Sequence, residues 1–221
     1  MTVTTRRERR QQQRRQQQRR PGGGGSRGIG QIWIVGGVVV GVIALILIGR
    51  AAGVFEPPAA SSLDVNASQF EVAGQTIGEK REDLGNEHVP SGQRVTYPTV
   101  PPTSGQHWAQ PAAPAPWGVK TSWLPWEVTT HNLEHGGVVI VYSPDLTTAQ
   151  VDTLRGLVRQ LNTVGYPKII LEPWPEMPKD STVILTSWNW ILKLPALDQG
   201  SIIKFTKVHH AGADAPERNV N

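Results

Sequence analysis

The clearest hydrophobic pattern lies in the second half of the chain, where short apolar runs stand between turn-forming residues. Residues 136–142 form a continuous run, largely β-branched, that is bounded by glycines and Pro144. Such a run is typical of a strand buried on both faces. Residues 168–172 and 182–188 have a similar character and predict two further strands, separated by a proline-rich turn.

Two helices are predicted among these strands, one after the first strand and one after the last. Thr147 and Gln150 form a capping-box sequence, after which apolar residues recur every three or four positions until Gly165 and Pro167 end the pattern. Apolar residues within 202–209 fit one face of a short terminal helix. The order β-α-β-β-α predicts an α+β fold, in which helices pack on a small mixed sheet.

The residues before this unit are less regular. Residues 64–80 alternate weakly between apolar and polar and could form a strand or a hairpin. Residues 89–126 are rich in proline and tryptophan, which disfavours regular helices and central strands. Because so many rings need burial, we expect an ordered coil packed against the core. Four of the rings could instead line a cleft for a sugar or a proline-rich peptide: Trp108, Trp117, Trp123 and Trp126.

A long apolar run lies near the N-terminus. Residues 28–49 are 22 consecutive residues without a charge, which is enough for a membrane-spanning helix, predicted over residues 29–49. A cleaved signal peptide is the alternative, but the apolar region of a signal peptide is shorter, roughly 7 to 15 residues. Residues 50–63 are rich in proline and alanine and predict a linker after the span.

The distribution of charge gives the predicted span an orientation. The net charge is +4, yet residues 1–27 carry nine Arg and one Glu, so the rest of the chain is negative overall. The positive-inside rule then places a disordered basic tail, residues 1–28, in the cytoplasm and an exported domain, residues 64–221, outside the plasma membrane. The expected partner of the tail is anionic lipid of the bilayer, at about 1 kcal/mol per basic residue, in preference to nucleic acid.

Composition also restricts the chemistry. The chain has no cysteine, which excludes disulfides, thiolate metal sites and a thiol nucleophile. A strong metal site must therefore use imidazole and carboxylate ligands. The sharpest such pattern is His131-x-x-Glu134-His135, which has the form found in inverted zincins, where two imidazoles bind zinc and the Glu activates water.

Three interpretations of this pattern stay open. The histidines could hydrogen-bond the backbone of the coil, could bind a metal ion, or could support metal-dependent hydrolysis with Glu134 as general base. Residues four apart lie about 6 Å from each other on a helix but about 13 Å on a strand, so a shared ion needs a helix here. Pro125 could begin that helix, and Gly136 could end it.

Several segments carry a family resemblance, and they are Glu87-His88-Val89, Pro101-Pro102-Thr103-Ser104-Gly105, His107-Trp108, Trp117-Gly118 and His131-Asn132-Leu133-Glu134-His135-Gly136-Gly137-Val138-Val139. Residues 68–217 resemble the bacterial and archaeal family called domain of unknown function 3105. The resemblance implies an N-terminal span and an exported domain, and it implies no particular activity. It also implies a shared polar site, because the first four histidines and Glu134 lie in these segments.

Together these features predict a single-pass, membrane-anchored extracytoplasmic protein, whose domain binds a metal ion or serves a membrane complex, with other membrane proteins as partners. The predicted metal ligands are His88, His107, His131 and His135, and copper or zinc is the expected ion. Glu134 is the catalytic residue if the domain is an enzyme. The alternatives are a metal-dependent hydrolase and a sugar- or peptide-binding module of the cell surface.

Overall fold

The computed structural model describes residues 63–220. The predicted basic tail, the predicted span over residues 29–49 and nearly all of the predicted linker lie outside the described residues. Within residues 63–220, none of the helices combines the length and the apolar character needed to cross a bilayer.

The described residues form an α+β fold with one mixed sheet of six strands and a separate two-stranded pair. The strands are β1 (Glu79–Lys80), β2 (His88–Val89), β3 (His107–Trp108), β4 (Gly118–Val119), β5 (Val138–Tyr142), β6 (Ile169–Pro173), β7 (Val183–Ser187) and β8 (Trp190–Leu194). The large sheet has the order β1-β8-β7-β5-β6-β4, and β2 pairs with β3. Strands β4, β6 and β5 are parallel neighbours, whereas β5, β7, β8 and β1 pair in antiparallel fashion.

Three helices cover the two faces of the large sheet: α1 (Trp126–Glu134), α2 (Thr148–Thr163) and α3 (Gln199–His209). Alternate residues of β5 divide between the faces. Val138 and Ile140 join the apolar cluster formed with α2 and α3, whereas Val139 and Val141 join the cluster formed with α1 and the tryptophan-rich coil. All five residues of β5 are buried, so the predicted burial of this strand on both faces is confirmed.

The predicted β-α-β-β-α order is confirmed in part: β5, α2, β6, β7 and α3 occur in this sequence, but β8 lies between β7 and α3. Thr147 and Gln150 form the predicted capping box at the start of α2. Strand β8 was not predicted. It follows β7 through a tight turn in which Asn189 has a φ of 63°, and the turn residues Trp188 and Asn189 lack the Asn-Gly type of sequence that marks a hairpin.

The proline- and tryptophan-rich residues form an ordered coil, as predicted, interrupted only by the short strands β2, β3 and β4. The coil packs closely on the end of α1: a Cβ atom at Gly137 would lie 2.5 Å from the ring of Trp117. In residues 64–80, the predicted strand or hairpin is replaced by a short 3₁₀ turn, Ser68–Phe70, and the edge strand β1. Too few apolar residues alternate there to form a longer strand.

Candidate metal centre

Four side chains converge between the coil and α1: His88, His107, His131 and Glu134. Strands β2 and β3 are parallel, and His88 pairs directly with His107 in their register. His131 and Glu134 lie three positions apart on α1 and therefore on neighbouring parts of one helix face. The predicted helix before Gly136 does form, beginning after Pro125 and ending at Glu134, with Gly136 at a φ of 79°.

The distances within the four-residue group fit a single ion. Glu134 Oε2 lies 3.0 Å from His107 Nε2, 3.5 Å from His88 Nε2 and 3.9 Å from His131 Nε2. One donor atom from each of the four residues lies within 4.8 Å of the others. Ligands about 2.1 Å from a tetrahedral zinc ion lie about 3.4 Å from one another, so small shifts would bring all four onto one ion.

Hydrogen bonds at the far side of two rings define which nitrogen faces the group. His107 Nδ1 lies 2.8 Å from the carbonyl oxygen of Gly105, and His131 Nδ1 lies 2.7 Å from that of Trp108. A carbonyl only accepts, so each Nδ1 carries the hydrogen and donates it. In a neutral ring, Nε2 then presents a lone pair toward Glu134. Metal-bound histidines are commonly oriented by this same hydrogen bond.

Burial favours the neutral imidazole of His131, whereas hydrogen bonds favour the ionised carboxylate of Glu134. The side chains of His107 and Glu134 are fully buried, whereas that of His88 is 41% exposed and forms the solvent edge. Burial lowers the pKa of His131 to about 4, against the opposing effect of its bond to Trp108. Burial also acts to raise the pKa of Glu134, but its contacts with His107 and Asn86 outweigh burial and hold that pKa below its ordinary value.

The carboxylate is positioned by contacts outside the three rings. Asn86 Nδ2 donates to Glu134 Oε1 at 2.7 Å, which leaves Oε2 toward the imidazoles. The backbone N–H of Glu217 donates to the carbonyl oxygen of Glu134 at 3.0 Å. The sequence pattern did not single out Asn86, and nothing in its local spacing distinguishes it from other polar loop residues.

The structure thus brings together three of the four predicted ligands, His88, His107 and His131, and places Glu134 as the fourth member. His135 is directed elsewhere: its Nε2 lies 3.2 Å from Glu217 Oε2. His135 therefore gives no donor atom to the group formed by His88, His107, His131 and Glu134.

The remaining two histidines hydrogen-bond the backbone, and two rings of the predicted tryptophan cleft, Trp123 and Trp126, line a small pocket together with Trp174. His209 Nε2 donates to the carbonyl oxygen of Ile77, and His210 Nε2 accepts from the backbone N–H of Lys168. The four tryptophans of the predicted cleft pack, partly buried, against the apolar cluster on the α1 face of the sheet: Trp108, Trp117, Trp123 and Trp126.

The fold and site define a class: an α+β domain with a buried group of three imidazoles and one carboxylate. Residues 88–221 match the family described as "Protein of unknown function (DUF3105)", which is more than half of the chain, so the chain belongs to this family. The resemblance inferred from the sequence motifs is therefore confirmed, and all four members of the group lie within the matched residues. No curated protein and no solved structure matches the chain.

Proposed function

We propose that the domain binds one divalent transition-metal ion through the Nε2 atoms of His88, His107 and His131 and through Glu134 Oε2. The observation that carries this proposal is the 3.0 Å contact between His107 Nε2 and Glu134 Oε2. His107 gives its hydrogen to Gly105 at Nδ1, so the neutral ring and the carboxylate would bring two acceptors together. Such a contact is stable only when a proton or a metal cation lies between them.

The donor set supports zinc or copper as the ion. Three imidazoles and one carboxylate suit Zn²⁺ and Cu²⁺ better than Mg²⁺ or Ca²⁺, which prefer oxygen ligands. Soft sulfur ligands, which favour Cu⁺, are absent from the four-residue group. Glu134 lies among the imidazoles, and this placement supports a ligand role for it over the alternative role of general base in hydrolysis.

Metal analysis of the purified full chain tests the proposal. After equilibration with Zn²⁺ and removal of free ion, we expect zinc to remain bound to the wild type. His88→Ala should weaken binding about a hundred- to a thousandfold, because one of four ligands supplies roughly a quarter of the 10–16 kcal/mol typical of such sites. His88 is half-exposed, so this variant should still fold. His210→Asn is the matched control and should bind zinc like the wild type.

The proposal fails if the wild type stays metal-free after supplementation with Zn²⁺ and with Cu²⁺. It also fails if His88→Ala and His107→Asn both retain wild-type affinity. With Cu²⁺ as the probe, nitrogen hyperfine splitting in the electron paramagnetic resonance spectrum should report several imidazole ligands, and it should change in His88→Ala but not in His210→Asn.

We also propose that residues 29–49 anchor the chain with its N-terminus in the cytoplasm and the metal-binding domain outside. The uncharged run and the basic residues before it support this orientation. The absence of cysteine makes a direct test simple. In intact cells, a membrane-impermeant maleimide should label Ser91→Cys and should label Thr4→Cys only after lysis; the reverse result, or equal labelling of both, would contradict the proposed topology.

A further inference from the structure

A second group of possible ligands adjoins the first and shares one residue with it. Donor atoms of Glu134, His135 and Glu217 lie within 4.8 Å of one another. We propose that this group binds a second metal ion, so that Glu134 bridges two ions. This inference rests on the proposed first site, because Glu134 would be the common ligand.

The bridging position of Glu134 follows from its place on α1. His131 lies three positions before it and His135 directly after it, and the rings of these two histidines are 4.8 Å apart between centroids. Glu134 Oε2 faces the first group, while Oε1 accepts only from Asn86 Nδ2 among the described residues and keeps a second lone pair. A carboxylate with both oxygens available can bridge ions about 3.5–4 Å apart.

Glu217 is held at this place by its backbone. Its N–H donates to the carbonyl oxygen of Glu134 at 3.0 Å, and the N–H of Ala211 donates to that of Gly136 at 2.8 Å. A Cβ atom at Gly136 would lie 3.0 Å from Ala211 Cα and 3.2 Å from Arg218 Cα. The close approach of the C-terminal segment, residues 211–220, therefore depends on glycine at position 136.

Lys168, next to β6 of the large sheet, also binds the C-terminal segment. Its ammonium group donates to the carbonyl oxygens of His135 at 3.0 Å and Arg218 at 2.9 Å, and also to that of Val220. Five hydrogen bonds to backbone carbonyls therefore hold the C-terminal segment over the end of α1. The backbone around Glu217 is therefore fixed by hydrogen bonds, and it places the Glu217 carboxylate next to His135.

The second group has fewer protein donors than the first and more solvent. Its donors are two carboxylates and one imidazole, and the side chain of Glu217 is 42% exposed. A divalent ion there would complete its coordination with water, so we expect it to bind more weakly and to exchange faster than the first ion. The simpler alternative is a hydrogen bond between His135 and Glu217 without an ion. Metal stoichiometry distinguishes this hydrogen bond from a second metal site.

The test is metal stoichiometry of the full chain, measured by Zn²⁺ titration. The wild type should bind two equivalents, and Glu217→Gln should weaken the second at least about tenfold while the affinity of the first changes little. Glu217→Gln keeps the size of the side chain and the backbone N–H, and Glu217 is half-exposed, so folding should persist. Glu176→Gln, which changes an exposed carboxylate elsewhere, is the matched control and should keep both equivalents.

Cu²⁺ provides a second readout that depends on distance. Two Cu²⁺ ions bridged by Glu134 should broaden each other's electron paramagnetic resonance signals, and Glu217→Gln should restore the spectrum of an isolated ion. One equivalent in the wild type, unchanged in Glu217→Gln, would overturn the second site and leave the first standing. Two equivalents unaffected by Glu217→Gln would also overturn it, whereas a metal-free wild type would overturn both sites.

Discussion

A buried glutamate on the central sheet offers a sharp test of the electrostatics of this fold. Glu172 lies on β6 opposite Val141 of β5 and is fully buried. Its Oε2 accepts from the backbone N–H of Leu124 at 2.9 Å, whereas Oε1 has no hydrogen-bond partner among residues 63–220. Burial raises the pKa of Glu172 from 4.5 to about 8, despite the opposing effects of the bond from Leu124 and of the nearby Lys120.

The direction of the stability change follows from proton binding. Between pH 4.5 and about 8 the folded chain keeps this proton, while the unfolded chain has lost it. The contribution of Glu172 to the free energy of unfolding is therefore fully present below pH 4.5 and is lost as the pH rises to about 8. The full loss is of the order of 5 kcal/mol, at about 1.4 kcal/mol per pH unit.

Glu172→Gln removes the titration and keeps the acceptor for Leu124. The buried amide adds an unpartnered donor, which costs free energy equally at every pH. The stability of the variant minus that of the wild type should therefore rise by several kcal/mol between pH 5 and pH 8 and stay constant above pH 8. Urea unfolding of both proteins at pH 5, 6, 7, 8 and 9, with a chelator present to keep them metal-free, measures this difference in the free energy of unfolding. A difference that is flat across this range would refute the burial argument.

Three further outcomes follow from the packing and the metal group. Asn86→Ala removes the donor to Glu134 Oε1 and should weaken Zn²⁺ binding about tenfold; unchanged affinity would show that Asn86 does not position the carboxylate. Gly137→Ala should destabilise the fold by about 1–3 kcal/mol, because the new methyl would lie 2.5 Å from the Trp117 ring. Gly156→Ala, in α2 with only a 3.9 Å contact to Arg159, should stabilise it by about 1 kcal/mol. Thermal unfolding measures both glycine variants, and equal effects of the two would contradict the packing described.

The local sequence pattern was sufficient to predict most of the helices and strands in the second half of the chain. Five consecutive buried residues in β5 and the capping box of α2 are properties of neighbouring residues, so they can be recognised without knowledge of the fold. Strand β8 was missed for a local reason as well, because its turn lacks a recognisable turn sequence. The short strands β2 and β3 have no periodicity to detect, since each contains two residues.

The candidate site was predictable as a set of residue types but not as an arrangement. Sequence motifs singled out His88, His107, His131, Glu134 and His135, and the absence of cysteine restricted a metal site to imidazole and carboxylate. Their spacing did not indicate that Glu134 would stand with three histidines while His135 turned toward Glu217. That choice depends on which face of α1 packs against β3, which is a tertiary contact.

Except for β8, the sequence by itself determined the elements of the α+β unit, and it also determined the family and the chemical type of a metal site. These depend on residues close together in the chain and on composition. The tertiary structure alone decided that His88 pairs with His107, that Gly105 and Trp108 orient two rings, and that the C-terminal segment carries Glu217 to the end of α1. The reason is physical: metal coordination requires donors within a few ångströms of one another, and only packing brings residues so distant in sequence to that separation.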